Sequence, residues 1–170
     1  MRFTLALALT LTATAVQAEP SVFGLTIGKT TEAQFLKQYS ASQVGTNAFN
    51  QGHMYEVAPG SIDFEGLQKV LVVFDAQGSL AGVNAQFPKE KFDYLNQALA
   101  KKYKLVDKQI PFVGNKSATY SDGNAKIILE APHMSFQMNM TYLTKTFDKA
   151  IADGQRKAKN QQRDKEASQL

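Results

Sequence analysis

The sequence predicts an α+β protein, an antiparallel sheet with helices packed on one face, and two patterns carry that prediction. From Met134 to Leu143 apolar and polar residues alternate, as they do in a strand with one buried and one wet face. From Lys89 to Tyr103 the apolar residues recur at the spacing of a helix that is buried along one side. Such a helix and such a strand are typical of a sheet covered by helices.

The chain of 170 residues begins with a pattern typical of a secretory signal peptide. Met1-Arg2 gives a positive start, residues 3–11 are mostly apolar, and Val16-Gln17-Ala18 places small residues before a cleavage site. The apolar run is shorter than the roughly 20 residues of a membrane-spanning helix. We therefore expect residues 1–18 to be removed after Ala18 and the mature protein to be periplasmic or secreted.

The first half of the mature chain, residues 19–88, is predicted to be one helix followed by strands. Thr30 or Thr31 can cap a helix that runs to Tyr39. The segment from Ser40 to Gly52 is rich in serine, asparagine and glycine, so we interpret it as a loop. Strands are then predicted at residues 54–57, 62–64, 69–74 and 79–87.

The second half, residues 89–146, is predicted to repeat this order. It opens with the helix from Lys89 to Tyr103, and strands are predicted at residues 105–113, 118–120, 125–130 and 134–143. Residues 147–170 are predicted to be a short docked helix and a polar basic tail that is partly disordered, because no apolar stripe continues beyond Gly154.

The two halves indicate a tandem repeat of helix-plus-hairpin units. An offset of about 57 residues lays Phe35 on Phe92 and Lys69 on Lys126, with apolar strand residues following each lysine. The alternative is that two α+β stretches agree at a few positions by chance. Either origin gives an antiparallel sheet covered by helices.

A family resemblance rests on the helix start at Ile27-Gly28-Lys29-Thr30-Thr31 and on the helix-then-hairpin order after it. In these features the chain resembles small envelope modules of the BamE (SmpA/OmlA) and β-lactamase-inhibitor-protein type. That resemblance implies α+β layers, sometimes in tandem, and binding to other proteins rather than catalysis. The chain contains no cysteine, so it departs from BamE at the lipobox and from the inhibitors at their disulfides. No binding residue is carried over.

Charge and motifs narrow the class of function. The net charge of +4 is concentrated in the tail, where five basic residues stand against two acidic ones: Arg156, Lys157, Lys159, Arg163 and Lys165 against Asp164 and Glu166. A basic tail without a basic folded groove argues against a nucleic-acid partner, and allows weak contact with anionic headgroups or an acidic protein. The sequence also lacks nucleophile-elbow, zinc-protease and phosphate-loop motifs, so we expect no enzymatic activity and no resident cofactor.

Two functions stay open at this point. The first is a binding protein of the cell envelope, an inhibitor or assembly factor, which contacts its partner through the exposed sheet face or the 40–52 segment, with Phe49 and Tyr55 as contact residues. The alternative is a copper or small-ligand binding protein, because thioether and imidazole ligands suit Cu(I). Its candidate ligands share a His-Met or Met-x-Met arrangement: His53, Met54, His133, Met134, Met138 and Met140.

Overall fold

The computed structural model describes residues 19–58 and 60–169 of the chain. It confirms the predicted fold class: an eight-stranded antiparallel sheet and a small two-stranded sheet are accompanied by three helices. The predicted signal peptide, residues 1–18, lies outside the described residues. Among the residues that are described, no helix is long and apolar enough to cross a membrane.

Each half of the chain contributes one helix and four strands of the large sheet, and the first half also contains the two strands of the small sheet. The first half contains β1 Ser21–Val22, β2 Leu25–Thr26, α1 Glu32–Gln38, β3 Ala41–Thr46, β4 His53–Val57, β5 Lys69–Phe74 and β6 Leu80–Pro88. The second half contains a 3-10 turn Lys89–Lys91, α2 Phe92–Ala100, β7 Lys104–Gln109, β8 Lys116–Asp122, β9 Ala125–Ala131 and β10 Gln137–Thr144. A long final helix, α3 Lys145–Ala167, follows.

The large sheet has the order β3-β4-β5-β6-β10-β9-β8-β7, so the last strand of each half lies at the centre. There β6 and β10 pair antiparallel, with Asn84 opposite Thr141, and the Asn84 amide donates a 2.8 Å hydrogen bond to the Thr141 hydroxyl. These two residues are 57 positions apart, which is the offset that relates the halves in sequence. The two four-stranded halves are therefore related by a local two-fold arrangement about this pair.

The main core lies between this sheet and the first two helices. Phe35 of α1 and Phe92 of α2 are both buried against it, as their equivalent positions in the two halves predict. The start of α1 follows the predicted capping: the Thr31 hydroxyl accepts from Gln34 N, and the Gln34 side chain accepts from Thr31 N. This reciprocal pair satisfies two backbone donors that the first helical turn leaves free.

The third helix begins on the opposite face of the sheet. Phe147 packs in a small second cluster with Val73, Ala81 and Leu143, and Ile151 lies beside it. From Gln155 onward the described side chains of α3 are exposed, yet the helix continues to Ala167. The structure thus differs from the expectation of a partly disordered tail, because this segment contains good helix formers and a Gln162–Glu166 hydrogen bond of 2.7 Å.

Four predicted element boundaries are wrong, and each has a physical reason. The strand predicted at residues 105–113 ends at Gln109, because Pro111 has no backbone N–H to donate to a partner strand. The 40–52 segment contains strand β3, whose residues show no apolar alternation because an edge strand here is wet on both faces. Residues 62–64 form no strand; Ile62 and Phe64 instead pack on the core from an irregular segment. The last strand begins at Gln137 rather than Met134, because its partner β6 ends at Pro88, opposite Gln137.

Candidate interaction surface

The structure does not bring the six predicted copper ligands together. His53 opens β4 at the end of the sheet where β5 finishes, since the adjacent Met54 pairs with Val73. His133 lies in the loop before β10, which starts beside the far end of β6. The two His-Met pairs therefore lie at opposite ends of the strands.

The methionines are divided between the two faces of the sheet. Met138 and Met140 are buried in the main core, 0% and 4% exposed, whereas Met54 packs beside the second cluster. Met134 is 91% exposed in a loop. No cluster of three or more histidine, aspartate, glutamate or cysteine side chains that would suit a metal ion occurs in the described part of the chain.

The two predicted partner-contact residues have different environments. Tyr55 is buried in the main core, with its ring 5.7 Å from that of Phe35 and 6.0 Å from that of Phe74. Phe49 is 43% exposed but lies against α3, where a methyl group added at Gly154 would be 2.7 Å from its ring. Tyr55 is thus a core residue rather than a contact residue, because β4 points it towards α1.

Tyr55 belongs to a hydrogen-bonded cluster with Glu32 and His53. The Tyr55 hydroxyl donates to Glu32 Oε1, and His53 Nδ1 lies 2.9 Å from the same oxygen. Burial opposes ionisation of Glu32, but the hydrogen bonds from Tyr55 and His53 outweigh it and lower the pKa of the carboxyl group. The hydrogen bond to Glu32, with burial, raises the pKa of Tyr55 to about 12. The cluster ties α1 to β4.

The most exposed apolar side chains are on two loops at one end of the sheet. Phe112 and Val113, between β7 and β8, are 105% and 67% exposed, and Met134 and Phe136, between β9 and β10, are 91% and 90% exposed. We call these four residues the loop-tip surface. Isolated exposed apolar residues are ordinary, whereas contiguous exposed apolar patches are typical of interaction sites, so these four residues are a candidate surface.

Hydrogen bonds hold the two loops in place. The backbone N–H of His133 donates to Asn115 Oδ1 at 2.8 Å, which joins one loop to the other. Lys89 Nζ donates to the carbonyls of Pro132 and His133 at 2.6 Å and 3.0 Å, and Lys89 N donates to Phe136 O at 2.9 Å. The backbone beneath the apolar tips is therefore pre-organised, which reduces the entropic cost of binding.

Charged groups at this end of the sheet are largely paired. Lys91 Nζ lies 3.2 Å from Glu65 Oε1, and Lys116 Nζ lies 3.9 Å from Asp93 Oδ2 and 5.7 Å from the centre of the Phe92 ring. Paired charges next to apolar tips make this end polar at its rim and apolar at its projecting centre. That is the usual composition of a protein–protein contact surface.

The second predicted contact surface, the exposed sheet face, contains both polar and apolar residues. Asn84 and Thr141 occupy its centre, and α3 covers only the part near Phe147. Both edge strands carry an irregularity, between Gln43 and Gly45 in β3 and between Leu105 and Asp107 in β7. Such bulges discourage pairing with a further strand. Polar and apolar residues therefore share the centre of this face, where Leu71 lies beside Asn84 and Ile128 beside Thr141.

No protein-family model, curated protein or solved structure matches this chain. The resemblance to the BamE and β-lactamase-inhibitor-protein type stays a prediction.

Proposed function

We propose that this chain is a non-enzymatic binding protein of the cell envelope, periplasmic or secreted, that contacts another protein through the loop-tip surface. The observation that carries the proposal is the exposure of Phe112, Met134 and Phe136, each 90% or more, on loops that are hydrogen-bonded in place. Aromatic and methionine side chains are enriched at the centres of protein interfaces. The proposed location in the cell envelope rests on the predicted signal peptide and its cleavage after Ala18.

Fixed geometry separates this surface from an incidental cluster of apolar residues. Lys89 uses both its backbone and its ammonium group to hold the loop that carries Met134 and Phe136. Three hydrogen bonds hold the backbone of this loop while its apolar side chains stay in water. This combination supports a contact with another protein. We infer that the exposed basic half of α3 adds a weak, salt-sensitive contact with anionic surfaces.

A paired set of double variants tests the proposal. Phe112→Ser/Phe136→Ser removes the two aromatic tips, and Leu36→Ser/Val44→Ser removes apolar residues of 45% and 48% exposure elsewhere on the surface. Each protein is purified gently from its own compartment, and its complexes are weighed by native mass spectrometry and titrated. Loss of one hot-spot residue costs about 2 kcal/mol or roughly 30-fold in affinity, so the first variant should lose the partner and the control should keep it.

Folding stability serves as the internal check. Because the replaced tips are exposed, the free energy of unfolding should change by less than about 0.5 kcal/mol. Unchanged partner affinity in the Phe112→Ser/Phe136→Ser protein would exclude this surface. A homodimer that dissociates only in this variant would show that the surface binds a second copy instead of another protein.

A further inference from the structure

A cavity of about 550 Å³ lies on the helix-covered face of the sheet, and none of its described lining residues belongs to the loop-tip surface. Its origin is the two-fold arrangement of the halves: α1 covers one half, α2 covers the other, and a gap is left over the central strands. Met140 and Tyr142 of β10 form the floor. One wall is α2, and the other is made by the N-terminal hairpin and the segment Ser61–Phe64.

The cavity is lined by more apolar than polar surface, and serine and tyrosine residues are among its lining residues. Met140 and Leu99 are 4% and 5% exposed, and the ring of Phe64 lies 5.9 Å from that of Phe23 in an edge-on arrangement. Phe23 has a positive φ of 52°, which is unfavourable for a bulky residue. The hydroxyl of Tyr39 holds it there by donating to its carbonyl at 2.5 Å. Backbone strain of this kind is found around ligand sites.

The charged residues in the described lining of the cavity lie on opposite walls, and one is basic and the other acidic. Lys102 lines the cavity, and Lys101 and Lys104 flank it in the chain; all three are exposed. Within residues 19–58 and 60–169, none of these three ammonium groups forms an ion pair. Asp63, on the opposite wall, is the one acidic residue in the described lining. A lining with more apolar than polar surface and one unpaired ammonium group, that of Lys102, at the end of α2 suits an anionic amphiphile.

We propose that this cavity binds a single-chain carboxylate amphiphile, with its chain against Met140 and Leu99 and its carboxylate at Lys102. The volume lies within the roughly 300–1,000 Å³ of small-molecule sites, and such sites combine mostly apolar walls with a few polar anchors. Methionine in the floor suits a flexible chain because its own side chain adapts to the shape it contacts. The site is independent of the loop-tip surface.

Calorimetric titration of the full protein with octanoate, decanoate and dodecanoate, each below the concentration at which it forms micelles, tests whether the alkyl chain of the ligand is buried. Each buried methylene should raise affinity about fourfold until the chain fills the cavity. A decyltrimethylammonium ion of matched chain length should bind at least tenfold more weakly. Absence of heat and of chemical-shift change with all three carboxylates, or equal affinity for the cation, would overturn the proposal.

Two variants with matched controls test whether decanoate binds in this cavity. Ala98→Trp fills the cavity from α2, whereas Gln97→Trp places the same ring on the exposed side of that helix. Lys102→Glu reverses the charge at the rim, whereas Lys37→Glu reverses an exposed charge on α1. We expect a loss of tenfold or more in decanoate affinity for each cavity variant and less than twofold for each control.

The two proposals fail separately. Ala98→Trp should leave protein-partner binding intact, and Phe112→Ser/Phe136→Ser should leave decanoate binding intact. Decanoate affinity that is unchanged in both Ala98→Trp and Lys102→Glu would contradict the cavity assignment, whatever happens at the loop tips.

Discussion

Replacing Tyr55 with phenylalanine tests the hydrogen-bonded cluster that joins α1 to β4. The ring stays in the core, where Tyr55 is 7% exposed, and only the hydroxyl that donates to Glu32 is removed. A hydrogen bond to a charged group contributes about 1.5–3 kcal/mol, so the free energy of unfolding should fall by that amount at neutral pH. Tyr94→Phe, at a site 61% exposed, is the matched control and should change nothing measurable.

The pH dependence gives the sharper form of this prediction. The pKa of Tyr55 is raised from 10.0 to about 12, first by the hydrogen bond to Glu32 and then by burial. Between pH 10 and 12 the unfolded state has lost the proton that the folded state keeps, so stability falls as pH rises through this window. A shift of about 2 units corresponds to at most about 2.7 kcal/mol.

Urea denaturation at pH 7 to 12 measures the difference between the two proteins. Burial also raises the pKa of Tyr120 and Tyr142, but both proteins contain these residues, so their effect cancels in the difference. The wild type should be more stable by about 1.5–3 kcal/mol below pH 10, and the gap should close as pH approaches 12. A gap that stays constant across this range, or is absent at pH 7, would refute the reasoning.

The remaining predictions concern the methionines. Met138→Ala empties a fully buried site and should cost about 2–5 kcal/mol in urea denaturation, whereas Met134→Ala, at a site 91% exposed, should cost less than about 0.5 kcal/mol; equal costs would contradict the assigned burial. Met138→Leu/Met140→Leu should leave Cu(I) affinity unchanged in a competition titration, because these two side chains face the main core and His133 does not lie with His53. A weaker affinity in that variant would restore the thioether site.

Much of the fold could be predicted because burial on one side leaves a pattern in sequence. The central strand β5 has the predicted bounds, and Thr31 caps α1 as predicted. Strand β3 could not be found this way, since an edge strand exposed on both faces has no apolar alternation to detect. The pairing of Asn84 with Thr141 at the centre of the sheet joins residues 57 positions apart, the offset seen in the sequence, but the sequence did not predict which strands would pair there.

The candidate site was harder to predict because it depends on where a partner strand ends. Met134 and Phe136 continue the alternation of Met138 and Met140, so the sequence predicts all four on one buried face. Only the end of β6 at Pro88 shows that Met134 and Phe136 have no neighbouring β6 residues to pair with. The exposure of Phe112 could have been predicted from the sequence. This aromatic residue lies between Pro111 and Gly114, which are typical of turns, where apolar side chains are seldom covered.

Site-specific photocrosslinking in the compartment that receives the protein tests the central claim most directly. The photoreactive residue p-benzoylphenylalanine replaces Phe136 in one protein and the exposed Gln97 of α2 in another. We predict a discrete adduct with one partner protein from position 136, lost when Phe112→Ser is added, and none from position 97. No adduct at position 136, or the same adducts at both positions, would contradict the assignment of the loop-tip surface.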